Sequence, residues 1–113
     1  MKVLVLDDNY QDLAPMFRHC FREDEFVFVA TPAAAEKVLG QNTFDVLLLD
    51  GNLGNGVTGP DVLRRWKSKG LGLPPVHMIS GDPEMNKEGL EAGAAGAIDK
   101  IDIGEGFEAL RKK

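Results

Sequence analysis

The 113-residue sequence has one cysteine, one tryptophan, one tyrosine and fewer cations than acids, 13 against 18. With Cys20 alone no internal disulfide can form, and no His/Cys cluster has metal-ligand spacing. A formal net charge of -5 argues against a nucleic-acid partner, because phosphate contacts need a clustered positive surface. No apolar run approaches the length that crosses a bilayer, and no signal-peptide pattern is present. A cytoplasmic protein without membrane contact is therefore expected, with residues 1–113 forming a single domain around one modest core.

Short apolar runs alternate with helical patterns. Lys2 to Leu6 stops abruptly at Asp7-Asp8-Asn9, as a strand buried on both faces would. Leu13, Met16, Phe17 and Cys20 mark one helical stripe starting near Asp12, with Pro15 in its first turn and Cys20 read as a small buried hydrophobe. Phe26 to Ala30 reads as a second strand, followed by a helix that Thr31-Pro32 opens and Gly40 closes as a C′ residue. Asp45 to Leu49 ends at Asp50, and a glycine-rich loop leads to a helix from Pro60 carrying Val62, Leu63 and Trp66. Pro75 to Ile79 leads to Ser80-Gly81, then to a helix opened by Asp82-Pro83 and ended by Gly93. Ala94 to Ile98 reads as a weak fifth strand before Lys100, and a short helix holding Phe107 and Leu110 follows. Arg111, Lys112 and Lys113 suit that helix's C-terminus. Five βα repeats predict an α/β fold, a five-stranded parallel sheet with helices on both faces.

Ligands on such sheets bind beyond the carboxyl ends of the strands, and the polar residues collect there: Asp7, Asp8, Asp50, Ser80 and Lys100. Each alone reads as a turn or cap residue. Together, three carboxylates at one edge would repel one another, and a bound cation or a protonation shift relieves that crowding. Oxygen ligands select a hard ion, and Mg²⁺ is often held by one or two carboxylates plus a phosphate. Lys100 adds a point charge and Ser80 a hydroxyl for phosphoryl oxygens.

In order and spacing these residues resemble the CheY-like receiver domains of two-component signalling over nearly the whole chain. The resemblance implies a flavodoxin-like (βα)5 response-regulator phosphoprotein in which Asp50 attacks the phosphorus of a phosphohistidine or a small phosphodonor, forming an acyl phosphate. The donor would be a histidine kinase or phosphotransfer protein of a phosphorelay. Asp8 and Asp50 would ligate Mg²⁺ directly, the backbone carbonyl of Asn52 would be a third ligand, and Asp7 would act directly or through water. Ser80 and Lys100 would bind phosphoryl oxygens. The output would be changed binding of a downstream protein by a surface around the fourth helix, fifth strand and fifth helix. Such a domain is not an enzyme beyond self-phosphoryl transfer and autodephosphorylation.

Four departures from the family pattern stand out. Ala97 occupies the position of the usual aromatic residue, which leaves a hollow for a partner side chain, routes coupling through the backbone, or is simple drift at a half-exposed position. Ile101 replaces the proline after the lysine, so a trans bond is expected where cis would cost roughly 2.5–4 kcal/mol. The loop after Asp50 is longer and rich in glycine, which suggests flexibility. The stretch from Gly104 is short, with Gly104 and Gly106 weakening its helix. His19, His77 and Trp66 read as structural, and Asn52 and Asp82 as a turn residue and an N-cap. Two other functions remain open. One is a phosphorylation-independent protein-binding or dimerisation module. The other is a haloacid-dehalogenase-type phosphohydrolase, whose Asp-x-Asp motif fails here at Asn9. A dinucleotide site is disfavoured by the acidic turn after the first strand.

Overall fold

The computed structural model describes residues 1–112, and Lys113, one of the terminal cations considered above, lies outside them. The elements are β1 (Lys2–Leu6), α1 (Ala14–Cys20), β2 (Glu25–Val29), α2 (Pro32–Leu39), β3 (Val46–Asp50), α3 (Gly59–Ser68), β4 (Val76–Ser80), α4 (Pro83–Glu91), β5 (Gly96–Asp99) and α5 (Ile103–Arg111). The strands form one sheet in the order β2-β1-β3-β4-β5, and every adjacent pair is parallel. The expected α/β architecture is observed.

The sequence explains which strands are central. All of Val46 to Asp50 is buried, as is Val3 to Leu6, because these strands are apolar on both faces and need cover on both. Alternate residues part to opposite faces. Leu4, Leu6, Leu47, Leu49, Trp66 and Met78 fill one core. Val3, Val5, Leu48, Phe17, Ile79 and Phe107 fill the other. Trp66 is fully buried, so its role is packing, as expected.

Several local expectations are corrected. Pro15 lacks an N–H, and the chain enters α1 through a 3₁₀ turn at Tyr10–Asp12, so the helix begins at Ala14 rather than near Asp12. Its buried stripe is Ala14 and Phe17, continued by Phe21, which leaves Cys20 exposed rather than a buried hydrophobe. Gly40 has φ -74°, ordinary right-handed backbone, and is the C-cap of α2 rather than a left-handed C′ residue. Gly93 does adopt a positive φ, +106°, just beyond α4.

The two glycines of α5 differ in kind. A Cβ on Gly106 would sit 2.4 Å from Ile98 Cγ2, so this glycine sets the close approach of α5 to β5, whereas Gly104 faces open space. The same device recurs at α4, where a Cβ on Gly89 would lie 2.2 Å from Met78 Cγ. α5 is further anchored by Phe107, which meets Phe21 edge to face at 4.7 Å between ring centres, and by the Arg111–Asp24 ion pair. Gly104→Ala is expected to raise the unfolding free energy by about 0.5 kcal/mol, and Gly89→Val to lower it by about 1–3 kcal/mol. Urea transition midpoints at unchanged slope check both.

Candidate functional site

A parallel sheet brings the carboxyl ends of all its strands to one edge. Asp7 and Asp8 follow β1, Asp50 ends β3, Ser80 ends β4 and Lys100 follows β5. Asp7, Asp50 and Ser80 are buried, at 0, 5 and 5% exposure. One carboxylate oxygen from each of Asp7, Asp8 and Asp50 lies within 4.8 Å of the others. Lys100 Nζ bridges two of them, 2.9 Å from Asp7 Oδ2 and 3.2 Å from Asp50 Oδ1. The turn carrying the lysine is fixed locally, since the Ile101 N–H donates to Asp99 Oδ1 at 3.0 Å. No peptide bond among the described residues is cis, so the bond into Ile101 is trans as expected.

Asp7 is oriented from both sides. Its Oδ1 accepts the Asn9 N–H at 2.8 Å, and its own N–H donates to Val29 O at 3.1 Å. Its buried Oδ2 accepts no hydrogen bond of good geometry, leaving the charge contact with Lys100. Burial pushes the Asp50 carboxyl up to about 6, with the neighbouring Asp7 charge adding to the rise and Lys100 opposing it. For Lys100, burial acts downward, yet its pairing with Asp7 and Asp50 wins and raises it. Three carboxylates against one ammonium leave the cluster two charges short of neutrality. That shortfall, the hard oxygen donors and the under-bonded Asp7 oxygen together fit a divalent cation.

The walls of the site are set by glycine contacts. A Cβ on Gly51 would fall 2.9 Å from Ser80 Oγ and 2.7 Å from Met85 Cβ, whereas Gly81 has open space around it. The absence of a Cβ on Gly51 makes room for the serine side chain. Ser80 Oγ accepts the Asp82 N–H at 3.0 Å, so its own hydrogen remains available to an acceptor in the site. Asp82 is the N-cap of α4, as expected, accepting from Glu84 N–H at 2.9 Å.

The loop after Asp50 is closed rather than slack. Asn52 Oδ1 accepts the Gly54 N–H at 3.0 Å, and Leu53 N–H donates to Val57 O at 2.9 Å. Val57 N–H donates to Gly54 O at 2.9 Å, and Gly59 N–H to Gly51 O at 3.0 Å. Gly54, Asn55 and Gly56 all have positive φ, so two of the glycines serve a tight left-handed turn. Between this loop and the start of α4 a cavity of about 450 Å³, lined by Asn52, Thr58, Ser80, Asp82 and Met85, opens beside the serine. Away from this edge, Ala97 is exposed and borders a separate hollow of about 370 Å³ with His77, Gly106 and Leu110. His19 is exposed on α1.

The raised Asp50 carboxyl sets a sign for pH dependence. Between the ordinary value of 3.8 and about 6 the folded chain holds a proton that the unfolded chain releases. This group's contribution is therefore largest at low pH and is lost as pH rises through about 6. Without divalent cations, Asp50→Asn is expected to remove that decline and to raise stability at neutral pH by about 1 kcal/mol. Urea unfolding of both proteins across this pH range reads the difference, and an unchanged profile contradicts it.

A profile of the response regulator receiver domain matches residues 3–111. No curated protein sequence is significantly similar to the chain. Among solved structures, a Francisella response regulator receiver domain superposes with a TM-score of 0.71 at 24% identity, over 88% of this chain and 84% of that one. The Vibrio cholerae chemotaxis protein CheY4 gives 0.77 at 25% identity, over 98% and 96%. A Burkholderia pseudomallei response regulator with a phosphorylated aspartic acid, calcium ion and citrate gives 0.78 at 19% identity, over 96% of this chain and 64% of that one. Receiver domains are signalling domains that accept phosphoryl groups on aspartate and bind a divalent metal in an acidic pocket. The profile spans nearly every described residue and the sheet order agrees with it: the chain belongs to the response regulator receiver domain family.

Proposed function

We propose that residues 1–113 act as one cytoplasmic receiver domain. In it Asp50 accepts a phosphoryl group from the phosphohistidine of a histidine kinase or phosphotransfer protein, and the modified domain signals by altered binding of a downstream protein. One observation carries this reading. Asp50 lies buried at the carboxyl edge, 3.2 Å from Lys100, with Asp7 and Asp8 completing a cation-binding set around it.

The chemistry asks little more of the protein. An Asp50 carboxylate oxygen attacks phosphorus in line, the P–N bond breaks, and the imidazole leaves with its electron pair. An acyl phosphate remains on Asp50. The Ser80 hydroxyl and Lys100 ammonium donate to phosphoryl oxygens, and the protein's main contribution is positioning and charge neutralisation. Asp8, Asp50 and the backbone carbonyl of Asn52 would hold Mg²⁺ directly, with Asp7 acting directly or through water. The ion would supply positive charge to the phosphoryl oxygens and keep Asp50 ionised near neutral pH. Catalysis extends no further than self-phosphoryl transfer and autodephosphorylation, and neither nucleic acid nor membrane is a direct partner.

Intact-mass measurement after incubation with acetyl phosphate is expected to show one phosphoryl adduct. It should require Mg²⁺ and be absent from Asp50→Asn. No adduct under any donor would favour the phosphorylation-independent binding module, and an adduct retained by Asp50→Asn would place the acceptor elsewhere.

A further inference from the structure

One side chain outside the acidic cluster joins the site to two other elements. Asn86, on α4, donates from Nδ2 to Ser80 O at 3.1 Å and to Ile98 O at 3.4 Å. Ser80 and Ile98 stand at the carboxyl ends of adjacent strands, where Ile98 pairs with Ile79 and Asp99 with Ser80. The Asn86 backbone belongs to the first turns of α4, its N–H donating to Asp82 O at 3.2 Å. One carboxamide therefore ties the end of β4, the end of β5 and the start of α4 together.

Three features bear on what this contact can transmit. Asn86 Oδ1 is buried without a hydrogen-bond partner among the described residues, so the side chain meets its surroundings through the Nδ2 donors. Ala97 is exposed and offers only a methyl group, so it can make no side-chain hydrogen bond across this edge. Farther along α4, Gly89 rests on Met78 of β4, giving the helix a second contact about one turn away. A displacement of the Ser80 main chain must then either carry the Asn86 amide with it or break the bond.

We propose that Asn86 is a positioning residue that holds the Ser80 main chain and conveys its displacement to α4 and β5 when Asp50 is phosphorylated. This rests on the acceptor reading of Asp50. Phosphorylation does not need Asn86 directly, because the residue touches none of the carboxylates or Lys100 by any hydrogen bond or ion pair. Its removal should uncouple the response from the modification.

The test uses the full ¹⁵N-labelled chain as wild type, Asn86→Ala and Asn86→Asp, each with Mg²⁺ and acetyl phosphate. Alanine is the better helix former, so α4 should persist in the first variant. Aspartate keeps the shape and turns the donor into an acceptor in the second. Adduct formation is expected to stay within about threefold of wild type in both, while phosphorylation-induced amide shifts across residues 83–91 and 96–99 fall to less than about half. Shifts at Asp8 and Asn52 should persist. Full wild-type shifts in α4 and β5 would overturn the proposal. So would an equal loss of shifts at Asp8, Asn52 and α4, which would give Asn86 a merely structural role. No adduct on the wild type would overturn the acceptor reading and this coupling with it, a pattern distinct from failure of the coupling alone.

Discussion

Like charges crowded at a buried edge are the constraint on which the rest of this structure depends. Asp7 and Asp50 are almost wholly removed from water, Asp8 stands beside them, and a single ammonium, Lys100, bridges the first two. Burial alone makes an ionised carboxylate costly, and a second carboxylate nearby makes it costlier. A fold selected only for stability gains nothing from such an arrangement. The crowding is intelligible when the cluster is a seat for a divalent cation and a phosphoryl group, each of which brings the charge or takes up the hydrogen bonds that the edge's own side chains leave unmatched.

The sheet is the device that makes the crowding possible. Because all its strands run parallel, residues far apart in sequence arrive at one edge, and the two cores on either face hold the central strands in register. Glycines then set the clearances. Gly51 admits Ser80, Gly59 passes against the Asp50 carbonyl, and Gly89 and Gly106 let α4 and α5 settle onto β4 and β5. These close approaches pack the helices against the strand ends that carry the site. A small movement at Ser80 thus has neighbours to push, among them the Asp82 N–H and the carboxamide of Asn86.

Much of this was legible in the sequence because the signals are local. An apolar run ending in an acid announces a buried strand and its carboxyl end together, so the sequence alone places the strands and Asp7, Asp8, Asp50, Ser80 and Lys100 at one edge. Thr31 and Asp82 declared themselves as helix caps for the same reason. What was misread depends on distance in space. Cys20 has helical spacing for burial but falls on the last turn of its helix, where it is exposed. Gly106 looks like a weak helix residue until Ile98 is found beneath it. The glycines after Asp50 look like slack until the Leu53–Val57 and Gly51–Gly59 bonds close the loop. Asn86 carried no signal at all, since an asparagine in a helix announces nothing about the two carbonyls it will meet.

The position of the phosphoryl group is the most direct test of the site. Borohydride reduction of the protein after treatment with acetyl phosphate and Mg²⁺, followed by peptide mapping, converts an acyl phosphate into a stable alcohol at the modified side chain. Reduction is expected at position 50 alone. Reduction at Asp7 or Asp8, or at no carboxylate in a protein that has gained phosphoryl mass, would contradict it.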